Sequence, residues 1–212
     1  IGQMLMPRFA AVYTSSDSDI YDRLVRLVHE AHVGGVIAFG GEEPVPRVLL
    51  NSTYSPIILG QPLALASMIN RLQAAAKIPL MVAMDAEWGL GMRLTGVKDL
   101  PRAMMVGATM DTALAYRLGT AIAAQCKRLG VHVNFAPVVD VNNNPKNPII
   151  NARSFGEDKE MVAKLGIAYM RGLQDNGVMA CAKLFPGHGD TETDSHNELP
   201  TINKTIQQLE AL

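Results

Sequence analysis

A chain of 212 residues with 48% hydrophobic and 18% charged residues has enough apolar surface for a packed core, which excludes intrinsic disorder. Lys and Arg number 19 against 20 Asp and Glu, a formal charge of −1 that argues against a dedicated binder of nucleic acid or of an anionic membrane surface. No apolar stretch approaches the ~20 residues that a membrane-spanning helix needs.

The elements follow one repeating pattern. Residues 4–10 form an early apolar run and a candidate first strand. Ile20, Leu24, Leu27, Val28 and Ala31 then lie at helical spacing, followed by Gly34-Gly35 and the apolar run 36–39. Leu65, Met68, Ile69, Leu72 and Ala76 precede a run at 79–84. Leu114, Leu118, Ile122 and Leu129 precede Gly130 and a run at 131–136. Val162, Leu165, Tyr169 and Leu173 precede Gly177 and a run at 178–182, and Asp158 reads as the N-cap of that helix. A glycine just past a helix suits the left-handed turn that ends it. Met104, Met105, Met161 and Met170 fall on or near apolar faces and read as core filler. Cys126 and Cys181 cannot build a disulfide framework or a structural zinc site, and their apolar surroundings predict reduced core residues.

Short apolar runs with little alternation predict strands buried on both faces, and their alternation with helices predicts βαβ units around a parallel sheet. Two α/β architectures fit, a doubly wound open sheet or a (β/α)8 TIM barrel. No G-x-G-x-x-G follows the first strand, and the Gly34-Gly35 and Gly40-Gly41 pairs have the wrong spacing for a dinucleotide turn. A barrel typically takes about 250 residues, so 212 residues with long loops hold about the first five βα units. Residues 201–212 read as an amphipathic helix with no stop signal, so the chain is expected to continue past Leu212. Residues 1–212 are then one barrel domain, incomplete at its C-terminus.

In either architecture the chemistry belongs beyond the carboxyl ends of the strands. Asp85, Glu87 and Trp88 follow one run, with Arg93 just after. Asp140 follows the next, and its loop carries Arg153; Lys183 and a histidine-rich loop follow the last. That loop holds His188, Asp190, Glu192, Asp194 and His196 within nine residues. Asp194 stands two residues before His196, close enough to place a carboxylate on one imidazole nitrogen and leave the other free to move a proton. His188 and Asp190 are as well suited to bracing the loop. Asp85 beside an indole suits a sugar, with a carboxylate for hydroxyls and a ring for the apolar face; pairing with Arg93 for structure is the alternative. Glu87 reads equally as a partner of such groups. Arg153 could bind a substrate or pin its own loop. The set His188, Asp190, Asp194 and His196 would also suit a metal-dependent hydrolase, although the spacing matches no common zinc motif.

The stretch Lys183-Leu184-Phe185-Pro186-Gly187-His188-Gly189-Asp190-Thr191, with Asp194-Ser195-His196 and Leu199-Pro200, closely resembles the signature of glycoside hydrolase family 3, in its β-N-acetylglucosaminidase (β-N-acetylhexosaminidase) branch. Asp85-Ala86-Glu87-Trp88-Gly89 with Arg93 resembles that family's early sugar-binding motif, and 134–141 with Arg153-Ser154-Phe155-Gly156 is a third match. The resemblance implies a (β/α)8 catalytic domain and a retaining mechanism. His196 would be the general acid/base, assisted by Asp194, in place of the usual second carboxylate. Asp85, Arg93, Arg153 and Lys183, with His188, would bind terminal N-acetylglucosamine. The implied substrates are peptidoglycan fragments or chitooligosaccharides, with no cofactor or metal, in a bacterial cytoplasm or periplasm; the oligomeric state is not implied. Two departures stand out. Leu184 occupies the place of a family histidine, which removes one expected sugar hydrogen bond. The family's nucleophilic aspartate comes from a later strand, so it is expected beyond Leu212, and without it the chain would be a carbohydrate-binding remnant.

Overall fold

A computed structural model of the chain describes residues 1–40, 43–44 and 58–211. Gly41 and Leu212 lie outside the described residues. The elements in order are β1 (Arg8–Ala10), α1 (Asp19–His29), β2 (Gly35–Phe39), β3 (Glu43–Pro44), β4 (Ile58–Leu59), α2 (Pro62–Ala75), β5 (Met81–Met84), α3 (Ala103–Gly107), α4 (Thr112–Arg128), β6 (Val133–Asn134), α5 (Lys159–Gln174), β7 (Met179–Ala180) and α6 (Ile206–Ala211).

Five strands form one parallel sheet in the order β1-β2-β5-β6-β7, and β3 and β4 pair antiparallel outside it. Each main strand therefore lies beside its successor. A doubly wound sheet reverses direction at a switch point, whereas a barrel wall advances one strand at a time. The order thus selects the (β/α)8 architecture, of which these are five consecutive strands. Register runs through Ala10↔Phe39, Ile37↔Ala83, Met84↔Asn134 and Asn134↔Ala180.

The helices start where short polar side chains can satisfy the first free N–H groups. The Ser18 hydroxyl accepts from Tyr21 N, Asp111 from Ala113 N and Leu114 N, and Asp158 from Met161 N, the last as the sequence suggests. α2 begins with Pro62, whose missing N–H costs nothing there. The inner faces of the helices bury Leu24 and Val28, Leu65 and Leu72, Leu118 and Ile122, and Leu165 and Leu173 against the sheet. α4 and α5 cross at two glycines. A Cβ on Gly119 would lie 2.3 Å from Tyr169 O, and one on Gly172 would lie 2.2 Å from Tyr116 O, so only glycine allows this approach.

Four expectations are corrected. The first run is not one strand, because Gly2–Met4 turn as a short 3-10 helix and only Arg8–Ala10 pair. Cys126 is buried in α4, where burial pushes its thiol pKa up to about 12, but Cys181 is exposed. Cys181 follows β7, whose Met179 is also exposed. Met105 is exposed rather than core, because it faces out from the short α3. The last helix begins only at Ile206, which is itself exposed.

Candidate active site

The carboxyl ends of β5, β6 and β7 converge, and the parallel pairing runs past the strands themselves. Cys181 N donates to Ala136 O at 3.0 Å and Lys183 N to Pro137 O at 3.1 Å. This carries Lys183 up beside the segment that follows β5. There Lys183 Nζ lies 2.8 Å from Asp85 Oδ1 and 2.7 Å from Glu87 Oε1. The other Asp85 oxygen accepts from Arg93 Nη2 at 2.9 Å, and the Arg93 guanidinium lies 4.8 Å from the centre of the Phe39 ring at the end of β2. Arg153 donates to Glu87 through Nε at 3.0 Å and Nη2 at 2.8 Å, a two-pronged contact that suits a guanidinium.

Three cations thus surround two carboxylates. Burial works against the charge on Asp85, but Lys183 and Arg93 outweigh it and hold its pKa below the ordinary carboxylate value. Burial likewise opposes ionisation of Glu87, and Arg153 and Lys183 reverse the balance. Exposure separates the two. The side chains of Asp85, Arg93 and Lys183 are 18%, 17% and 16% exposed, whereas Glu87 is at 6%. The first three keep part of their surface open, and Glu87 is spent on its neighbours.

The backbone between the two carboxylates is gripped from below. Asn134, fully buried in β6, accepts from Ala86 N at 2.9 Å and donates to Ala86 O at 3.0 Å. The Tyr169 hydroxyl, from α5, donates to Glu87 O at 3.0 Å. The roles of Asn134 and Tyr169 escape a reading of the sequence, in which Tyr169 is one more residue of a helical apolar face. A polar Asn within a buried strand was the available signal.

The second group lies in the loop after β7. Asp194 Oδ1 accepts from His196 N at 2.9 Å and lies 2.7 Å from His196 Nδ1. Burial raises the Asp194 pKa, but these two contacts outweigh it and hold the pKa below the ordinary value. An ionised Asp194 can only accept, so Nδ1 carries the proton and Nε2 is the free nitrogen. The His196 side chain is 70% exposed. Among the described residues, the ion pair of Asp194 and His196 is with each other rather than with the Asp85–Glu87 group.

His188 lies earlier in the same loop. It is buried, its Nδ1 meets Thr191 Oγ1, and its Nε2 has no hydrogen-bond partner. Asp140 Oδ1, after β6, accepts from His188 N and from Gly189 N. Burial raises the Asp140 pKa, and those two N–H groups, with His188 and Arg153 nearby, offset it only in part. Asp190 pairs with Lys204, so it braces the loop. Among the described residues no three His, Cys, Asp or Glu side chains gather as metal ligands. Leu184 has a positive φ of 77° and turns onto Val138, Ile149 and Ile150. One face of the Trp88 indole is taken by Arg102, 4.3 Å from the ring centre.

Comparisons with known proteins bear on the family. A Pseudoalteromonas piscicida protein named beta-hexosaminidase A is 42% identical over 147 residues, covering 65% of this chain and 25% of that protein. A Thiobacillus denitrificans beta-hexosaminidase is 34% identical over 191 residues, 87% of this chain and 48% of its own length. The solved structure of a glycoside hydrolase family 3 beta-N-acetylglucosaminidase from a Paenibacillus strain superposes with a TM-score of 0.82 at 38% identity, covering 100% of this chain and 37% of that one. The chain therefore spans less than half the length of these relatives. The family model described as "Glycosyl hydrolase family 3 N terminal domain" matches residues 1–212, and the chain belongs to that family.

Proposed function

We propose that residues 1–212 are the catalytic barrel domain of a retaining glycoside hydrolase that removes terminal β-linked N-acetylglucosamine from peptidoglycan fragments or chitooligosaccharides. The observation that carries this reading is the set Asp85, Arg93 and Lys183, ion-paired yet each partly open, at the strand ends from which the Asp194–His196 loop departs. Sugar hydroxyls both donate and accept. A carboxylate held ionised takes the donated bonds, and two fixed cations supply the returned ones. Arg153 completes the floor through Glu87. His188 joins the substrate-binding set because the fold uses its Nδ1 and backbone N–H and leaves Nε2 unpaired.

In this reading His196, protonated on Nε2, gives that proton to the leaving oxygen as the glycosidic bond breaks. An aspartate supplied from beyond Leu212 forms the glycosyl-enzyme. Neutral His196 then takes a proton from water as the water attacks the anomeric carbon. Asp194 keeps the imidazole in the tautomer and orientation that both steps need. The relatives named as beta-hexosaminidases and the beta-N-acetylglucosaminidase structure support the choice of sugar.

The test is hydrolysis of a chromogenic β-N-acetylglucosaminide by the full chain that carries this segment, with the β-glucoside as control. Selective turnover of the N-acetyl sugar, with the β-anomer formed first, is the expected result. Binding of N-acetylglucosamine without turnover would make the protein a carbohydrate-binding remnant. Equal turnover of both sugars would overturn the N-acetyl preference.

A further inference from the structure

Asn147 uses its whole amide to join two loops. Its Nδ2 donates to His188 O at 2.6 Å and to Thr191 O at 2.8 Å, in the loop that leads to Asp194 and His196. Its Oδ1 accepts from Ile149 N at 2.9 Å and Ile150 N at 2.7 Å, in its own loop. Ile149 O in turn accepts from Arg153 Nη1 at 3.2 Å. Asn147 is 2% exposed, so water does not substitute for any of these bonds. Two donors and two acceptors are the full capacity of a side-chain amide. The carbonyls it serves are 41 and 44 residues away in the chain. The backbones themselves touch here, since a Cβ on Gly189 would lie 2.0 Å from Val141 O. Asn144 adds a weaker, part-buried bond, 3.3 Å from Nδ2 to Asp190 O.

We infer that Asn147 is a positioning residue for the reaction. It holds the loop bearing the Asp194–His196 pair in register with the loop bearing Arg153, so that the proton-transfer group and the sugar-binding cluster act on one substrate. Neither Asp nor Ser can replace it. A carboxylate at this place would face two carbonyl oxygens, and a hydroxyl is too short to reach both loops. This inference rests on the acid/base assignment of His196 proposed above.

A misplaced acid matters most where the leaving group needs a proton. In the full chain, Asn147→Asp and Asn147→Ser are expected to lose about 100-fold in kcat/KM on an alkyl or saccharide β-N-acetylglucosaminide. On the 2,4-dinitrophenyl glycoside, whose leaving group needs no acid, the loss is expected to be under about 5-fold. Azide, a nucleophile that needs no base, is expected to raise the variants' turnover of the activated substrate. Asn144→Ala, which removes only the weaker part-buried bond, is expected to show the same dependence at about 3-fold. His196→Ala is run alongside. If His196→Ala shows no dependence on the leaving group, the assignment of His196 fails. If it shows the dependence and the Asn147 variants lose activity equally on both substrates, or lose none, this inference alone is overturned. A flat profile for Asn144→Ala together with Asn147 variants that do not fold also overturns it, by making Asn147 a stabilising residue only.

Discussion

Arg153 grips Glu87 with two parallel hydrogen bonds across 66 residues of chain, and the Glu87 side chain is almost wholly shielded from solvent. Glu87 Oε1 also receives Lys183. One carboxylate thus fixes two of the cations assigned to the sugar, and it does so from below, where no ligand reaches. Glu87→Gln keeps the shape and removes the charge. Lys183 keeps Asp85 and Arg153 keeps Ile149 O, but the buried charge that both face is gone, and losing hydrogen bonds to a charged group of this kind typically costs about 1.5–3 kcal/mol. The expected result is a clear fall in Tm by calorimetry and a KM raised more than kcat is lowered, because Arg153 and Lys183 lose their aim.

Acid should undo the same cluster. Asp85, Glu87 and Asp194 have pKa values lowered in the fold from ordinary values of 3.8, 4.5 and 3.8. The unfolded chain therefore binds more protons than the folded one in this range, and stability rises with pH. Their contribution is complete above about pH 4.5, the ordinary Glu value, and is lost as the pH falls through the lowered values. Tm measured from pH 7 downward is expected to hold to about pH 5 and then fall, and the fall should be shallower in Glu87→Gln.

The sequence carries the helices and strands well, because buried apolar runs and capping residues such as Asp158 act over a few neighbours. Periodicity alone leaves a barrel and an open sheet both possible, since strand pairing is a long-range property; the missing G-x-G-x-x-G, the length and the motif resemblance are what lean toward the barrel. In the candidate site, Asp85, Arg93, Arg153, Lys183 and the Asp194–His196 pair can all be picked out as polar residues after strands. Glu87 reads from the sequence as a partner of such groups, though not of which ones, and the work of Asn134 and Asn147 cannot be read. Each acts on a group 41 or more residues away, and a side chain says nothing of such a partner until the backbone folds.

His196→Ala in the full chain is expected to lower turnover by about 100-fold or more on substrates with poor leaving groups. Asp194→Asn keeps an oxygen for His196 N but removes the charge that faces Nδ1. It is expected to cost about 10-fold on substrates with poor leaving groups and far less on the 2,4-dinitrophenyl glycoside, because the imidazole loses the carboxylate that orients it for proton transfer. An equal loss on both substrates in Asp194→Asn would show that Asp194 is bracing the loop and leaving the imidazole alone.

Asp140 runs against the pattern of the other carboxylates. Oδ1 accepts two backbone N–H groups, yet Oδ2 is buried with no partner and burial pushes the pKa up from 3.8. A raised carboxylate pKa reverses the sign: ionising Asp140 erodes stability as the pH climbs past 3.8 toward its folded value. Asp140→Asn keeps one oxygen for His188 N and Gly189 N and removes the buried charge, so Tm at pH 7 is expected to stay within a few degrees of wild type. Asp140→Leu strips both N–H groups of their acceptor at the base of the histidine-rich loop. It is expected to cost about 2–4 kcal/mol and to lower Tm by roughly 5–10 °C. If Asn proved as damaging as Leu, the charge on Asp140, rather than its two accepted hydrogen bonds, would be what holds the loop.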